Sequence, residues 1–269
     1  GFYGHLLAKR LLEADHEVIG IDNLSRSSHT CRELESSSYS KNAFQFHKVD
    51  ITNFGQIETI VAESDPDAIV HLAALLSIDE SMAKPFEYHE TNDRGSLNVA
   101  KAALKAKNDC RIIYASSSEV YGNPIYAPMD ENHPVSPRSF YAVTKLAGEK
   151  YFQVLNAWYG LPVLIVRNFN SYGPGQPQYS IGGENYSAAI PNFISRLLRG
   201  QQPVISGDGS QTRDFLYIDD AIEAYFTAIA SWHKGINGEI VNIGSGKDTS
   251  IKEVARLIAK ILGVEFRPT

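Results

Sequence analysis

Tyr141 and Lys145 stand four residues apart in Tyr141-Ala142-Val143-Thr144-Lys145, a spacing that places a phenol and an ammonium on one helix face. A phenol with an ordinary pKa near 10 is a poor base at neutral pH. A neighbouring cation favours phenolate and brings the group toward the working range. About 24 residues earlier, the apolar run Arg111 to Ala115 passes into Ser116-Ser117-Ser118-Glu119-Val120-Tyr121-Gly122. Hydroxyls at the carboxyl end of a strand lie where ligands bind in a doubly wound sheet, and one of them can share a substrate proton with the tyrosine. Each feature alone has a plainer account, a tyrosine packed under a lysine stem or serines capping a helix.

Gly1-Phe2-Tyr3-Gly4 opens a helical stretch, and Asp22 closes the next apolar run. Glycines there let the backbone approach a pyrophosphate at a helix N-terminus, and a carboxylate ending the second strand can bond both ribose hydroxyls. The pattern suits a dinucleotide, though a tight turn with a capping aspartate would use the same letters. An anionic Asp22 repels a 2′-phosphate and favours NAD over NADP, and Arg26 works the other way. An oxidised nicotinamide would add a second positive charge near Tyr141, with Lys145 able to hold its ribose. Because the chain opens inside this motif, a strand upstream of Gly1 is expected.

These groups must be positioned by alternating elements. Apolar runs at 18–21, 44–49, 68–72, 111–115 and 163–166 read as buried strands, and the stretches 4–15, 56–62, 92–105 and 141–159 as helices. Strands so spaced form a parallel sheet covered on both faces. The expected class is therefore α/β, a Rossmann-type doubly wound parallel sheet over residues 1–169. Past Asn170 the rhythm changes to a Gly/Pro/Ser/Tyr-rich stretch over 171–187, a helix near 191–199, short strands around Val204 and Phe215, and a helical run at 251–262. This predicts a smaller C-terminal α/β substrate-binding lobe over 170–269, continuing past Thr269. Tyr172 to Tyr186 reads equally as a substrate lid or a loop without function, and Ser36 to Ser40 as a polar loop.

Composition excludes several classes. The 269 residues carry 25 Lys+Arg against 31 Asp+Glu, net −6, which works against a polyanion-binding surface, so no nucleic-acid partner is expected. No apolar stretch approaches the roughly 18 residues of a membrane span. Cys31 and Cys110 lack the paired spacing of a zinc site or disulfide framework, which points to a reducing cytosol. The eight histidines form no metal-like cluster, His71 reads as a structural donor, and no metal is expected.

In order along the chain, GFYGHL, IDNLS, VDIT, HLAA, TN, SSSEVYG, YAVTK, RNFNSYGPGQ and GDGSQTRDFLYIDD resemble the extended short-chain dehydrogenases/reductases of the nucleotide-sugar epimerase and dehydratase group. The resemblance covers nearly the whole chain and is closest to the branch that inverts C4 of UDP-glucose. It implies NAD, with Gly1, Phe2, Tyr3 and Gly4 at the pyrophosphate, Asp22 and Asn23 at the adenosine ribose, and Asp50 and Ile51 flanking adenine. Leu72, Ala73, Ala74 and Asn92 would line the cofactor channel, with Ser116 and Asn168 close by. It implies Ser117 as the catalytic hydroxyl, Tyr141 as the base and Lys145 as its helper. Ser117, Ser118, Asn170 and Arg213 would contact a nucleotide-diphosphate sugar, although Arg213 beside Asp214 also reads as a surface ion pair. Two departures concern the sugar and base contacts: Ala188 where the family has asparagine, and a longer segment over 177–187.

The implied activity is inversion of a hydroxyl at C4 through a 4-keto sugar, in a cytoplasmic homodimer paired through the helices near 92–105 and 141–159. Glu119 keeps a rival open, since dehydratases and UDP-glucuronate decarboxylases of this family carry an acid just before Val-Tyr-Gly. Ser118 stands where the dTDP-glucose dehydratases have aspartate. A reductase that releases its cofactor and a non-catalytic NAD(H) binder also satisfy the glycine motif. The intact Ser117, Tyr141 and Lys145 set argues against the binder.

Overall fold

The structure is a computed structural model that describes residues 1–26, 34, 43–107, 110–176, 180–181, 184–185 and 188–267. Cys31 and the Ser36 to Ser40 loop lie outside the described residues. Contacts divide the chain into two units, Gly1–Asn168 with Ile222–Ile243, and Phe169–Ala221 with Gly244–Thr269.

In the first unit, α1 (Phe2–Leu12) leads into β1 (Val18–Asp22), which pairs in parallel with β2 (Phe44–Lys48). The helix α2 (Phe54–Ser64) begins at Asn53, whose side chain accepts from Gln56 N, and ends at Asp65 in the left-handed region. It is followed by β3 (Ala68–His71), α3 (Ile78–Ala83) and α4 (Pro85–Tyr88), where Pro85 takes the first position, the one that needs no N–H partner. One π-helical turn over His89–Arg94 then feeds α5 (Gly95–Ala103), so the helix expected at 92–105 begins inside that turn.

The strands β4 (Arg111–Ser117) and β5 (Val163–Asn168) are buried almost end to end, as strands covered on both faces must be. They form the middle of a parallel sheet ordered β10-β5-β4-β3, with β10 at Ile240–Ile243. The parallel α/β architecture read from the alternation is the one observed. Between β4 and β5 runs α6 (Phe140–Tyr159), opened by Ser139, whose hydroxyl accepts from Ala142 N, and closed by Gly160 at φ 69°. Its close approach to β4 depends on Gly148, where an added Cβ would collide with the Tyr114 hydroxyl. That hydroxyl donates to Lys145 O at 3.2 Å. A short 3₁₀ turn at Ser118–Tyr121 carries the chain away from β4 and ends at Gly122, whose φ of 70° suits glycine.

In the second unit, β6 (Asn170–Tyr172) runs parallel to β9 (Thr212–Tyr217), and β11 (Asp248–Ser250) antiparallel to it. β7 (Ser180–Ile181) and β8 (Glu184–Asn185) pair within the segment read as a lid, the rest of which (177–179, 182–183 and 186–187) lies outside the described residues. The helices α7 (Ala189–Leu198) and α9 (Ile251–Leu262) bury Phe193, Val254 and Ala255 against Ile205 and Phe215.

Three features differ from the sequence expectation. No strand forms around Val204, which is exposed beside Pro203, a residue with no N–H for a ladder. The helix α8 (Ile218–Ala230) and the strand β10 were not expected. Through β10, residues 222–243 group with the first unit, although they follow the lobe that the sequence places after 169.

Candidate active site

The pairing of β4 on β5 sets Ser116 opposite Arg167 and Ser117 opposite Asn168. Successive strand residues face opposite ways, so the two hydroxyls part. Ser116 Oγ donates to Glu149 Oε1 at 2.5 Å, inside the core. Ser117 Oγ accepts from Glu119 N at 3.2 Å, and its hydroxyl lies near enough to the Tyr141 phenol to favour the phenolate. Tyr141, on the first turn of α6, is 7% exposed and packs edge-on against Tyr88 with centroids 6.5 Å apart. Burial pushes its phenol up to about 12; the Ser117 hydroxyl pulls it partly back, while Glu119 and Tyr3 push it further up. A phenol lowered by its neighbours, as expected from the sequence, is therefore not what this structure holds.

The reason is where Lys145 points. Its Nζ donates to Ala115 O at 2.9 Å and stands 5.4 Å from the Tyr114 ring centroid. Burial brings this ammonium down to about 8, opposed by Glu149. Folded Lys145 thus loses its proton near 8 and the unfolded chain near 10.5. Between those values the unfolded state binds more protons, so this group makes stability rise with pH across that window and adds no slope below it. In NAD-free protein, the melting temperature of wild type relative to Lys145→Met is expected to climb from pH 8 to pH 10. Parallel curves would show that the ammonium is not desolvated.

His71 is the structural donor expected of it. Its Nε2 lies 2.9 Å from Ser96 Oγ, whose only proton goes to Asn92 O, so the imidazole donates. Burial, with Lys145 nearby, pushes it down to about 3 and keeps it neutral. Asn92 accepts from Leu75 N at 2.8 Å and donates to Leu75 O at 2.9 Å and Thr144 Oγ1 at 3.3 Å. It therefore ties the segment after β3 to α6.

Three residues that the sequence reading did not select complete this centre. Glu149 and Arg167 form a buried two-pronged pair, Nε to Oε1 at 2.9 Å and Nη2 to Oε2 at 2.8 Å. Glu149 continues the face of Tyr141 and Lys145 at the same four-residue step, which was the available signal. Tyr225 is buried against Tyr3, with centroids 5.9 Å apart, and its hydroxyl accepts from Asn168 Nδ2 at 2.8 Å. Asn168 also donates to Ser116 O at 3.2 Å, while its buried Oδ1 has no partner among the described residues.

At the other expected subsite, α1 begins at Gly1 with no side-chain cap and no acid in its first turn. An added Cβ at Gly1 would meet nothing within 4 Å, and one at Gly4 would meet only Leu72 Cδ1 at 3.9 Å. Phe2 and Tyr3 stack edge-on beside them. Asp22 Oδ2 is 3.0 Å from the Gly1 nitrogen, and its Oδ1 accepts from Leu24 N at 2.7 Å. Asn23 Nδ2 donates to Asp50 Oδ2 at 2.7 Å, and Thr52 bonds Asp50 through both N and Oγ1. Burial raises the Asp50 carboxyl, but these donors outweigh it and hold it below the usual range.

Ile51 turns its side chain into the core with Ile57, Val61, Val99 and Ala102, and Ala73 packs on the same cluster. The Ser116 hydroxyl is likewise committed to Glu149, so at Ile51 and Ser116 only the main chain is left for a cofactor. An uncapped helix N-terminus, a carboxylate at the end of β1 and an orphaned amide acceptor beside Ser117 together fit a dinucleotide. Among the described residues, no group of three His, Cys, Asp or Glu could hold a metal ion.

In the second unit, Asn170 Nδ2 donates to Asp214 O at 3.3 Å. Arg213 is exposed and donates to Thr212 O at 2.9 Å. It makes no ion pair with Asp214 among the described residues, because that carboxylate accepts from Ser245 N, Ser245 Oγ and Gly246 N. Ala188 precedes α7 without a side-chain cap. Gly173, Gly175, Gln176, Ile190, Pro191 and Ile194 line a cavity of about 270 Å³.

Comparison with known proteins places these observations. The model of the NAD dependent epimerase/dehydratase family matches residues 1–244. The UDP-glucose 4-epimerase of Mycolicibacterium smegmatis is 34% identical over 268 residues, 100% of this chain and 82% of that protein. The UDP-N-acetyl-alpha-D-glucosaminuronate decarboxylase of Bacillus cytotoxicus is 36% identical over 266 residues, 97% of this chain and 77% of that protein. The crystal structure of UDP-glucuronic acid 4-epimerase from Bacillus cereus, in complex with UDP-glucuronic acid and NAD, superposes with a TM-score of 0.86 at 30% identity. It covers 100% of this chain and 82% of that one.

Proposed function

Because the chain belongs to the NAD dependent epimerase/dehydratase family, we propose that it inverts the C4 hydroxyl of a nucleotide-diphosphate hexose, with UDP sugars the first choice, through a 4-keto sugar. The observation that carries this reading is the convergence of the Ser117 hydroxyl and the Tyr141 phenol at the end of β4, with Asn168 opposite Ser117 and Lys145 one turn further along α6. When bound, NAD supplies the acceptor and then the donor of one hydride. The chain does the rest. The first turn of α1 holds the diphosphate and Asp22 the adenosine ribose. Ser117 lies between the sugar hydroxyl and Tyr141; Tyr141, as phenolate, takes the proton of the C4 hydroxyl and later returns it to the 4-keto oxygen. Arg213 offers a planar fork of donors to the substrate diphosphate, with Asn170 opposite Phe215, two residues further along, on the paired strand. Anchoring that end leaves the ketone free to turn over between the two hydride transfers.

A second reading is favoured by Glu119, whose charge acts on the Tyr141 phenol. An acid so close to the phenol suits the C5 proton removal of a dehydratase or a role in decarboxylation. The two readings separate by product. With UDP-glucose, dTDP-glucose and UDP-glucuronate offered in turn, the expected product is the C4-inverted sugar with no net change in NADH. A 6-deoxy-4-keto sugar or released carbon dioxide would replace the epimerase reading.

The proposal extends to a cytosolic homodimer. Val143, Val154 and Trp158 leave an apolar stripe exposed along α6, of the kind that a second copy covers. Cys110 is a buried free thiol that burial pushes up to about 12. Among the described residues, no helix is long and apolar enough to cross a membrane.

A further inference from the structure

Arg26 is four residues past Asp22, where a guanidinium could receive a 2′-phosphate. In the structure it is engaged elsewhere. Its Nη2 lies 2.7 Å from Glu80 Oε2, and the Glu80 side chain is 3% exposed. Glu80 is itself fixed from several sides. It stands in the first turn of α3, which Ser77 caps, and Tyr88 OH donates to Oε2 at 3.3 Å. Lys84 Nζ stands 3.6 Å from Oε1, and Oε1 is buried with no hydrogen-bond partner among the described residues. A carboxylate buried in that state requires the arginine charge, since leaving it unpaired costs far more than an exposed pair contributes.

The loop from Asp22 to Arg26 is also short and folded. Leu24 N bonds Asp22 Oδ1, Ser25 N bonds Asn23 Oδ1, and Leu24 has a φ of 59°. Four residues span at most roughly 13 Å even when extended, so a released guanidinium would reach the ribose that Asp22 holds.

We propose that Glu80 sets the cofactor choice: by clamping Arg26 it withdraws the cation that could neutralise a 2′-phosphate, leaving Asp22 to repel that phosphate and admit NAD. Glu80 is on this account a positioning residue acting through Arg26. The inference rests on the NAD reading above.

The test uses nucleotides that occupy only the adenosine end, so that the Tyr88 contact with Tyr141 does not enter the readout. Dissociation constants for 5′-AMP and adenosine 2′,5′-bisphosphate are measured by calorimetry on the full chain stripped of dinucleotide. Relative to wild type, Glu80→Gln is expected to shift the ratio toward the bisphosphate by about tenfold or more, the strength of a charge-assisted hydrogen bond. Adding Arg26→Met should abolish the shift. A shift below about threefold, or one that survives without Arg26, overturns the proposal. Should Glu80→Gln fail to fold, Arg26→Lys decides instead, because it keeps a cation on Glu80 but loses the planar fork that would grip a phosphate, so if the cation is clamped the ratio should stay put. A loss of bisphosphate affinity in that variant overturns the clamp. Wild type that binds neither 5′-AMP nor NAD would sink the cofactor reading itself, whereas intact binding with an unmoved ratio sinks the clamp alone.

Discussion

Tyr141→Phe is expected to lower kcat by about a thousandfold, within the range of a general acid or base, while the affinities for NAD and the nucleotide sugar change by less than about twofold. The substitution removes one oxygen and little else. The ring keeps its edge-on contact with Tyr88, and Ser117 keeps the hydrogen bond it accepts from Glu119 N. What is lost is the atom that holds the substrate proton between the two halves of the reaction. Because burial pushes this phenol up to about 12, it starts neutral, so the wild-type rate should rise with pH on its basic side and the variant's residual rate should not. Single-turnover rates measured against pH, beside equilibrium titrations of both ligands, separate a missing proton carrier from a damaged site. A variant within tenfold of wild type would move the proton to another group, with Glu119 first in line.

How much of this was readable beforehand follows from what each residue depends on. Ser117, Tyr141 and Lys145 are brought to one end of the sheet by two short-range rules, the strand end and the four-residue helical step, and both are visible in the letters; Asn168, opposite Ser117, came only from the family resemblance. The direction of a hydroxyl was not visible. Ser116 and Ser117 differ by one position, yet the pleat turns one toward Glu149 and the other toward Tyr141. The ammonium of Lys145 was expected beside the phenol, and the carbonyl of Ala115 takes it instead. Such choices depend on partners far along the chain, 33 residues for Ser116 and 30 for Lys145, which periodicity does not report. The same holds for the chain path. Val204 and Ile205 looked like a strand, but with no partner strand Ile205 packs under α9 instead. Ile240–Ile243 is four residues long and shows itself as a strand only through its neighbour β5.

The largest stability effect should come from a residue that touches no substrate. Arg167 is 3% exposed, and Glu149 supplies its only counter-charge among the described residues. Arg167 Nη1 already has no hydrogen-bond partner there, and the guanidinium carbon lies 4.7 Å from the Tyr121 ring centroid. Glu149→Gln keeps the shape but strands a buried cation, which costs about 3–5 kcal/mol. For a chain of this size that is a fall in melting temperature on the order of 10 °C. Removing both charges, as Glu149→Gln with Arg167→Met, should recover much of the loss, because a buried pair exchanged for neutral groups of similar volume is close to neutral. Thermal unfolding of the two single variants and the double variant forms the required cycle. The loss should also reach Lys145, whose proton Glu149 helps to hold, so the rise in stability expected above pH 8 should start lower in Glu149→Gln. A single variant losing less than about 1 kcal/mol would mean that water reaches Arg167. The strand end carrying Ser116 and Ser117 would then have to be held by the hydrogen bonds of β4 alone.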